Sequence, residues 1–455
     1  MPGPNITIIG GGSRQWAPTL IEDIANTDSL RGAHIVLEDI NPASLDNAAD
    51  YVRHVSSIAG LELTVSTTTD QRQALDGADF VVVTITTGGF ESMRADREIP
   101  IRYGIRQTVV DGGPAGVSRA LRNIPVMVQI AQDMVEMCPD AWLLNLTNPM
   151  AQICRAITHE TSIRTVGLCH EVTICRFFLS MLLDIDFREI HPVVTGVNHM
   201  PVIVSLEVGG EDILPRAFDL LDDEEQLSRR IPFDLPSDIG REVAIVNPTK
   251  GDLLSTMQVK LELFRRFGAL IASKDRHIVE YFPWFLTAES DFAERWGVAT
   301  TTIEEREVAE ATYDKRLHEA LRSTSLSSMP SGEMVAPFID AIVTGRRRLL
   351  PLNIPNHGHC PDLPTDVVVE AMCSVEDGAV RGRHVAQAPP FLADHLRRVV
   401  TAHEFTVEAA LSGSRDAALE AMLADPLGGR MDYHAIVAMT DELIAATKPW
   451  LPQFA

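Results

Sequence analysis

The chain has 455 residues, a formal net charge of −24 and 45% hydrophobic residues. This hydrophobic fraction excludes a disordered chain, and the length allows two substantial domains. The strong negative charge argues against nucleic acids and anionic membranes as partners.

The first residues lack the basic and apolar segments of a signal peptide, and no apolar run approaches the roughly 20 residues of a membrane span. The six cysteines show no disulfide-framework spacing. We therefore expect a cytoplasmic protein with reduced thiols and with neither a nucleic acid nor a membrane partner.

The first predicted strand ends in a glycine-rich turn. Residues 5–9 are apolar and β-branched, and helical apolar spacing begins after Gln15. Between them lie Gly10, Gly11, Gly12 and Ser13. Glycines let the backbone approach a pyrophosphate closely, and a helix N-terminus supplies amide donors for it. Only Gly10 and Gly12 fit the G-x-G-x-x-G pattern, since Gln15 takes the third position, so an ordinary glycine turn is the alternative.

Two further strand ends favour a dinucleotide site. Residues 34–37 form a strand that is followed by Asp39. Asp39 comes about 25 residues after the turn, where dinucleotide sites carry the acid that binds a ribose hydroxyl. A third apolar run, residues 80–85, ends at Thr86. We therefore predict that the glycine turn, Asp39 and Thr86 bind NAD, because an acid rather than an arginine at position 39 favours NAD over NADP.

The predicted strand over residues 142–146 ends in Thr147-Asn148-Pro149. A proline at this point fixes the turn and allows a cis peptide. Such a turn aims the Asn148 amide into the crevice, where it can donate to and accept from a pair of sugar hydroxyls. We assign Asn148 to cofactor and substrate binding, and a simple turn asparagine is the alternative.

Two later strand ends bring a thiol and an imidazole together. Apolar residues 165–168 lead to Cys169 and His170, and apolar residues 193–197 lead to Asn198 and His199. Helical spacing after His170 predicts that Cys169 lies at a helix N-terminus, which favours the thiolate, the form that binds a metal. A buried structural cysteine and a core histidine are the alternative.

Residues 272–277 are mostly polar and lie between two apolar runs. This pattern indicates a loop that faces a site, and it contains Lys274, Asp275 and Arg276. A solvated loop is the alternative. Residues 322–333 are Ser-rich and predict a mobile surface loop.

The order of the elements predicts an α/β protein. Strands and helices alternate at first, and longer helices follow beyond about residue 200. We predict a Rossmann-like doubly wound parallel sheet over residues 1–195 and an α+β C-terminal domain over residues 196–455, with the active site at their interface.

Together these residues resemble glycoside hydrolase family 4, the NAD-dependent glycosidases. The resemblance rests on the order and spacing of short motifs over most of the chain. They are Gly10-Gly11-Gly12-Ser13, Asp39, Asp111-Gly112-Gly113-Pro114, Thr147-Asn148-Pro149, Cys169-His170, Asn198-His199, Asp275, Asn353-Ile354-Pro355-Asn356 and Asp366-Val367-Val368-Val369-Glu370.

The resemblance implies a hydrolysis that runs through redox and elimination steps. Sugar C3 is oxidised by NAD+, the proton at C2 is removed, the glycosidic oxygen at C1 leaves, water adds, and the hydride returns. A divalent metal stabilises the enediolate that forms when the C2 proton leaves. The cofactor is therefore regenerated in each turnover.

The resemblance also implies roles for single residues. Cys169 and His199 bind the metal, for which the family usually prefers manganese, although a thiolate and an imidazole by softness also suit zinc. Asp275 is the candidate base or acid, and His170 is the second catalytic candidate, on the leaving-group side. Substrate binding falls to three residues: Asp111, Asn148 and Arg276.

The motif Gly167-Leu168-Cys169-His170-Glu171-Val172 looks most like the α-galacturonidase members. A uronic acid needs a cation for its carboxylate, which Arg276 or Lys274 can supply, and a structural ion pair is the alternative for Arg276. Neutral α-galactosides or α-glucosides, and 6-phospho-glycosides, remain alternatives within the family. An NAD-dependent dehydrogenase is the alternative of another class. The family also implies a homodimer or homotetramer.

Overall fold

A computed structural model describes residues 3–108, 112–222, 257–326 and 331–454. Strands and helices alternate through the first part of the chain. In order they are β1 (Asn5–Ile9), α1 (Trp16–Ala25), β2 (His34–Glu38), α2 (Pro42–Ala59), β3 (Thr64–Thr68), α3 (Gln71–Leu75), β4 (Phe80–Val83), α4 (Gly89–Arg102), α5 (Gly113–Met137), β5 (Trp142–Asn145), α6 (Met150–Glu160) and β6 (Arg164–Gly167).

These six strands pair in parallel in the order β3-β2-β1-β4-β5-β6. This is the strand order of the dinucleotide-binding fold, in which two βαβαβ halves meet at β1 and β4. Central strands β4 and β5 are buried along their whole length, as expected for parallel strands covered on both faces. The predicted doubly wound parallel sheet is confirmed.

The second part of the chain adds helices and antiparallel strands. In order they are α7 (Glu171–Leu183), β7 (His191–Val197), β8 (Met200–Val208), β9 (Glu211–Asp212), α8 (Leu214–Asp222), α9 (Gln258–Phe267), β10 (Leu270–Ile271), α10 (Asp275–Tyr281), α11 (Ile303–Ala320), α12 (Val335–Thr344), β11 (Arg348–Pro355), β12 (Val368–Glu376), β13 (Ala379–Gly382), α13 (Pro390–Ser412), α14 (Arg415–Ala424) and α15 (Tyr433–Ala446).

The main sheet continues beyond β6. Within the described residues it has nine strands, because β11, β12 and β13 follow β6 as an antiparallel extension. A separate sheet contains β10, β8 and β7, with β9 paired to β8. The division predicted at residue 195 stays a prediction, and it falls within β7.

Hydrophobic clusters cover both faces of the main sheet. Alternate residues of β4 point to opposite sides: Val82 packs with α1, α2 and α12, whereas Val81 and Val83 pack with α5, α6 and α13. This arrangement explains why the strands read as continuous apolar runs.

None of the described helices is long and apolar enough to cross a membrane. All six cysteines are free and buried.

Candidate active site

The glycine turn connects β1 to α1 and lies against the end of β2. The N–H groups of Gly10 and Gly11 donate to the carbonyl of Glu38 over 2.9 and 2.8 Å. Asp39 accepts hydrogen bonds from Gly12 N–H at Oδ2 (3.1 Å) and from Asn41 N–H at Oδ1 (2.9 Å). The predicted pair of turn and acid is thus formed, at the carboxyl edge of the sheet.

A side chain at Gly12 would require the side chains of Ser44 and Asp39 to move. A Cβ atom there would lie 2.0 Å from Ser44 Oγ and 2.8 Å from Asp39 Oδ2. Ser13 Oγ accepts a hydrogen bond from Trp16 N–H (3.1 Å) and so sits at the start of α1. These features fit a turn that lets a pyrophosphate approach the backbone at a helix N-terminus.

The loops after β4 and β5 lie side by side at the same edge. Thr86 is exposed in the loop after β4. Asn123 connects the two loops, because its Oδ1 accepts from Thr87 N–H (3.1 Å) and its Nδ2 donates to the carbonyl of Asn148 (2.8 Å). The Asn148–Pro149 peptide is cis. Asn148 Oδ1 is buried and, among the described residues, has no hydrogen-bond partner, so it can accept one from a ligand.

Cys169 and His199 meet, as the sequence predicts. Cys169 follows β6 and precedes α7, whose N-cap is His170, and its thiol shares a hydrogen bond with His199. Cys169 is 7% exposed and His199 is 5% exposed. The pair therefore lies in a nearly dry environment next to a helix N-terminus.

His199 occupies an unusual backbone conformation. Asn198 and His199 form the two-residue turn between β7 and β8, and His199 has a φ of 64°. A non-glycine residue in this left-handed region is uncommon and persists where its surroundings hold it. Tyr281 supplies one such contact, since its hydroxyl donates to the carbonyl of Asn198 over 3.2 Å.

The environment of Cys169 differs from the expectation in one respect. Burial and the nearby Glu370 raise the pKa of the Cys169 thiol, while the hydrogen bond and charge of His199 lower it. We predicted that the helix N-terminus favours the thiolate. Burial has the opposite and larger effect on the pKa of Cys169, because the site excludes water. A bound cation supplies the charge that deprotonates a coordinating thiol.

His170 lies between two carboxylates. Its Nδ1 is 2.6 Å from Glu333 Oε1, and its Nε2 is 3.4 Å from Glu171 Oε1. Glu333 also donates its backbone N–H to Ser331 Oγ, and Ser331 bonds in turn to Asp23 of α1. The expectation of a mobile surface loop over residues 322–333 is therefore wrong for Ser331 and Glu333, while residues 327–330 lie outside the described part of the chain.

Asp275 is the first residue of α10 and is 2% exposed. Its Oδ2 accepts from Val259 N–H (2.8 Å) and its Oδ1 from Lys260 N–H (3.0 Å), so it caps the start of α9. Burial raises the pKa of Asp275 to about 7, against the lowering effect of Lys260 and of the two amide bonds. The carboxyl group can thus hold a proton near neutral pH, but both of its oxygens are already engaged.

The polar segment around Asp275 is anchored at both sides. Lys274 donates its backbone N–H to Glu171 Oε2 (2.6 Å), and its Nζ lies 3.5 Å from Glu171 Oε1. Arg276 donates from Nη2 to Thr301 Oγ1 (3.1 Å), and its Nε is buried with no hydrogen-bond partner among the described residues. Asp111 lies outside the described residues.

Four residues near the site were not assigned from the sequence. His277 stacks on His199, with ring centroids 4.0 Å apart. Asn353 and Glu370 are buried on β11 and β12, and Glu333 precedes α12. The available signal for Glu370 was a charged residue inside the apolar run 367–371. His277 lies in the polar run 272–277 and Asn353 begins the motif Asn353-Ile354-Pro355-Asn356, whereas Glu333 offered no signal.

The donor set fits a divalent transition metal with open coordination positions. A sulfur and an imidazole nitrogen are ligands of borderline or soft ions. Among the described residues no group of three or more His, Cys, Asp or Glu side chains is placed to hold a metal ion.

Two family profiles match the chain. "Family 4 glycosyl hydrolase" matches residues 5–185, and "Family 4 glycosyl hydrolase C-terminal domain" matches residues 194–428. The alpha-galactosidase of Bacillus subtilis is 30% identical over 456 residues, which cover 99% of each chain. The alpha-galacturonidase of Lachnoclostridium phytofermentans is 30% identical over 468 residues, which cover 98% of this chain and 97% of the other.

A solved structure shares the fold. The 6-phospho-alpha-glucosidase from gut microorganisms, crystallised with NAD and Mn2+, superposes with a TM-score of 0.80 at 21% identity and covers 100% of both chains. The doubly wound sheet, the two matching profiles and the near full-length relatives agree, and the chain belongs to family 4 of the glycosyl hydrolases.

Proposed function

We propose that this protein cleaves α-galacturonides with NAD and a divalent cation, by oxidation at C3, removal of the C2 proton, elimination at C1 and addition of water. The observation that carries the proposal is the contact between Cys169 and His199 at the carboxyl edge of the sheet, the edge at which Gly12 N–H also bonds to Asp39. Ligands of open α/β sheets bind outside the carboxyl ends of the strands, and both groups lie at such ends.

Each half of the site has a chemical task in this scheme. When bound, NAD accepts and returns a hydride. The divalent cation, for which we propose manganese, stabilises the negative charge that develops at C2 and C3. Cys169 and His199 hold the cation. The Asn148 amide, whose Oδ1 is buried and unpaired among the described residues, accepts from a sugar hydroxyl or from the cofactor.

Proton transfer falls to His170 and Asp275. The side chain of His170 is 15% exposed and directly follows Cys169 in the chain, and its two ring nitrogens lie near the carboxylates of Glu333 and Glu171. Both oxygens of Asp275 accept backbone hydrogen bonds, and a role as base requires that one of them be released. The geometry therefore favours His170 as the more accessible of the two groups.

The choice of sugar rests on two relatives and on Arg276. One relative at 30% identity is named an alpha-galactosidase and another an alpha-galacturonidase. The buried, unpaired Nε of Arg276 supports a uronate, because a guanidinium pairs well with a carboxylate. A neutral α-galactoside is the second candidate. Complexes of the structural neighbour with NAD and Mn2+ support both cofactors.

The deciding experiment measures hydrolysis of p-nitrophenyl α-galacturonide, α-galactoside and α-glucoside, each with and without NAD+ and Mn2+, under reducing conditions. The reaction is run in D2O, and the released sugar is analysed for deuterium at C2. Removal and return of the C2 proton introduces solvent deuterium there, whereas direct hydrolysis leaves C2 unlabelled. Cys169→Ser is compared with Cys138→Ser, a cysteine at the far end of α5.

We expect release that needs both cofactors, deuterium at C2, no net NADH, and loss of turnover in Cys169→Ser alone. Release without either cofactor and without label contradicts the mechanism. NADH that accumulates without release of p-nitrophenol supports a dehydrogenase instead. Light scattering of the purified protein tests the proposed homodimer or homotetramer.

A further inference from the structure

Three neighbouring strands place polar groups in one row behind the Cys169 and His199 pair. Asn353 of β11 lies opposite Gly167 of β6 on one side and opposite Glu370 of β12 on the other. Gly167 is two residues before Cys169. The row therefore runs from the strand that carries the thiol to a buried carboxylate.

The row is closely packed at Gly167. A Cβ atom at this position would lie 2.9 Å from Asn353 Cβ and 2.8 Å from Met150 Cγ. The absence of a side chain at Gly167 lets β11 approach β6, and this brings Asn353 and Glu370 under the site.

Glu370 is buried in a way that needs an explanation. It is 0% exposed and Asn353 is 1% exposed. Glu370 Oε2 accepts from Asn198 Nδ2 over 3.3 Å, and Glu370 also interacts with the Asn353 side chain, but Oε1 and both polar atoms of the Asn353 amide lack a hydrogen bond of normal geometry within the described residues. Natural proteins seldom bury a carboxylate with so few partners unless it serves a site.

The local charge agrees with this view. Burial raises the pKa of Glu370 to about 7, and the charge of His199 together with the Asn198 hydrogen bond lowers it. Glu370 is thus close enough to His199 for their charges to interact. Glu370 itself is not part of any group of three or more side chains placed to hold an ion in the described residues.

Through Asn198, Glu370 contacts the turn that carries His199. Asn198 is held twice, through its side chain by Glu370 and through its carbonyl by the Tyr281 hydroxyl. The next residue, His199, has its φ of 64°. Such a conformation is kept only by neighbours that fix it, and the two bonds to Asn198 fix the residue immediately before it.

We propose that Glu370, acting through Asn198, is a positioning residue for the His199 imidazole and thereby sets the affinity of the divalent cation site. The inference rests on the proposed cation at Cys169 and His199. Groups that orient a metal-binding histidine typically contribute about 10-fold to 100-fold in metal affinity, so removal of the Glu370 carboxylate should weaken Mn2+ binding by that factor.

The test measures Mn2+ binding to the full-length protein by the loss of the free-ion EPR signal, without any glycoside. Glu370→Gln keeps the shape of the side chain but replaces the carboxylate that accepts from Asn198 with a neutral and weaker amide acceptor. Asn198→Ala removes the same bond from the turn and serves if Glu370→Gln does not fold. Glu376→Gln, at the other end of β12, is the matched control, and Cys169→Ser removes a ligand. The thiolate band of Co2+-loaded protein reports ligand geometry, and NAD+ affinity reports the integrity of the fold.

We expect Glu370→Gln and Asn198→Ala to bind Mn2+ about 10-fold to 100-fold more weakly and to alter the cobalt band, with NAD+ affinity and the Glu376→Gln control unchanged. Normal Mn2+ binding in both variants, with binding lost in Cys169→Ser, overturns this inference and leaves the proposed function intact. Normal binding in Cys169→Ser overturns the proposed cation site as well.

Discussion

Glu38 offers a test of the electrostatics of residues 3–195, the region proposed to bind NAD, which we call the nucleotide-binding half. It ends β2, is 6% exposed, and accepts the Gly10 and Gly11 N–H groups at its carbonyl. Burial raises the pKa of the Glu38 carboxyl to about 7, and the negative charges of Asp39 and Asp70 add to the effect. Replacement by glutamine removes the charge while keeping the shape of the side chain.

The sign and size of the effect follow from proton binding. The Glu38 carboxyl has a pKa of about 7 in the folded protein and its ordinary pKa of 4.5 in the unfolded chain. As pH rises, the unfolded chain therefore loses this proton first. Between these values the folded state binds more protons, so stability falls as pH rises. A shift of about 2.5 pKa units corresponds to an upper value of about 3 kcal/mol in the free energy of unfolding. With an unfolding entropy of about 1 kcal/mol/K for a chain of this length, the melting temperature changes by at most about 3 °C.

The assay compares melting temperatures of wild type and Glu38→Gln from pH 4.5 to pH 8.5. We expect equal values at the acidic end and a variant that is more stable, by up to about 3 °C, at the alkaline end. Glu62→Gln, at an exposed position of the same half, should give no pH-dependent difference. A difference that stays constant with pH, or a variant that is less stable at pH 8.5, would refute the reasoning.

Three further predictions concern the site. Gly12→Ala should weaken NAD+ binding by at least about tenfold in calorimetry, with Gly32→Ala as an unaffected control, because a Cβ at Gly12 meets Ser44 Oγ at 2.0 Å. Glu333→Gln should lower kcat by about 10-fold to 100-fold with little change in KM, and most for poor leaving groups, because it weakens the hold on His170; an equal loss for every aglycone contradicts this. Asp275→Asn should cost about 1 kcal/mol of stability, since it removes one acceptor from α9. If the folded variant has a lower kcat than the wild type, Asp275 also transfers a proton. If kcat is unchanged, Asp275 acts only as the cap of α9.

The elements of the nucleotide-binding half could be predicted because their signals are local. Apolar runs that end in Gly10, Asp39 and Thr86 give both the strands and the edge at which ligands bind. Cys169 and His199 could be paired because each follows such a run. The alternation of strands and helices then leaves few topologies to choose from.

The rest depends on contacts between residues far apart in sequence. Glu370 meets Asn198 across 172 positions, and Glu333 meets His170 across 163. No periodicity encodes such pairings. The capping of α9 by Asp275 is likewise a tertiary contact, and it changes how freely a residue identified by motif can act. The raised pKa of Cys169 follows from burial, which the motif does not reveal.

The antiparallel extension of the main sheet has a consequence for fragments of this protein. Leu352 of β11 and Val375 of β12 share one hydrophobic cluster with Ile6 of β1 and Phe338 of α12. A fragment that stops near residue 195 lacks three of these four side chains and leaves β6 at an open sheet edge. Unpaired edge strands beside exposed apolar surface promote aggregation. The nucleotide-binding half, although continuous in sequence, is therefore a poor unit for truncation or for transplantation into a chimaera.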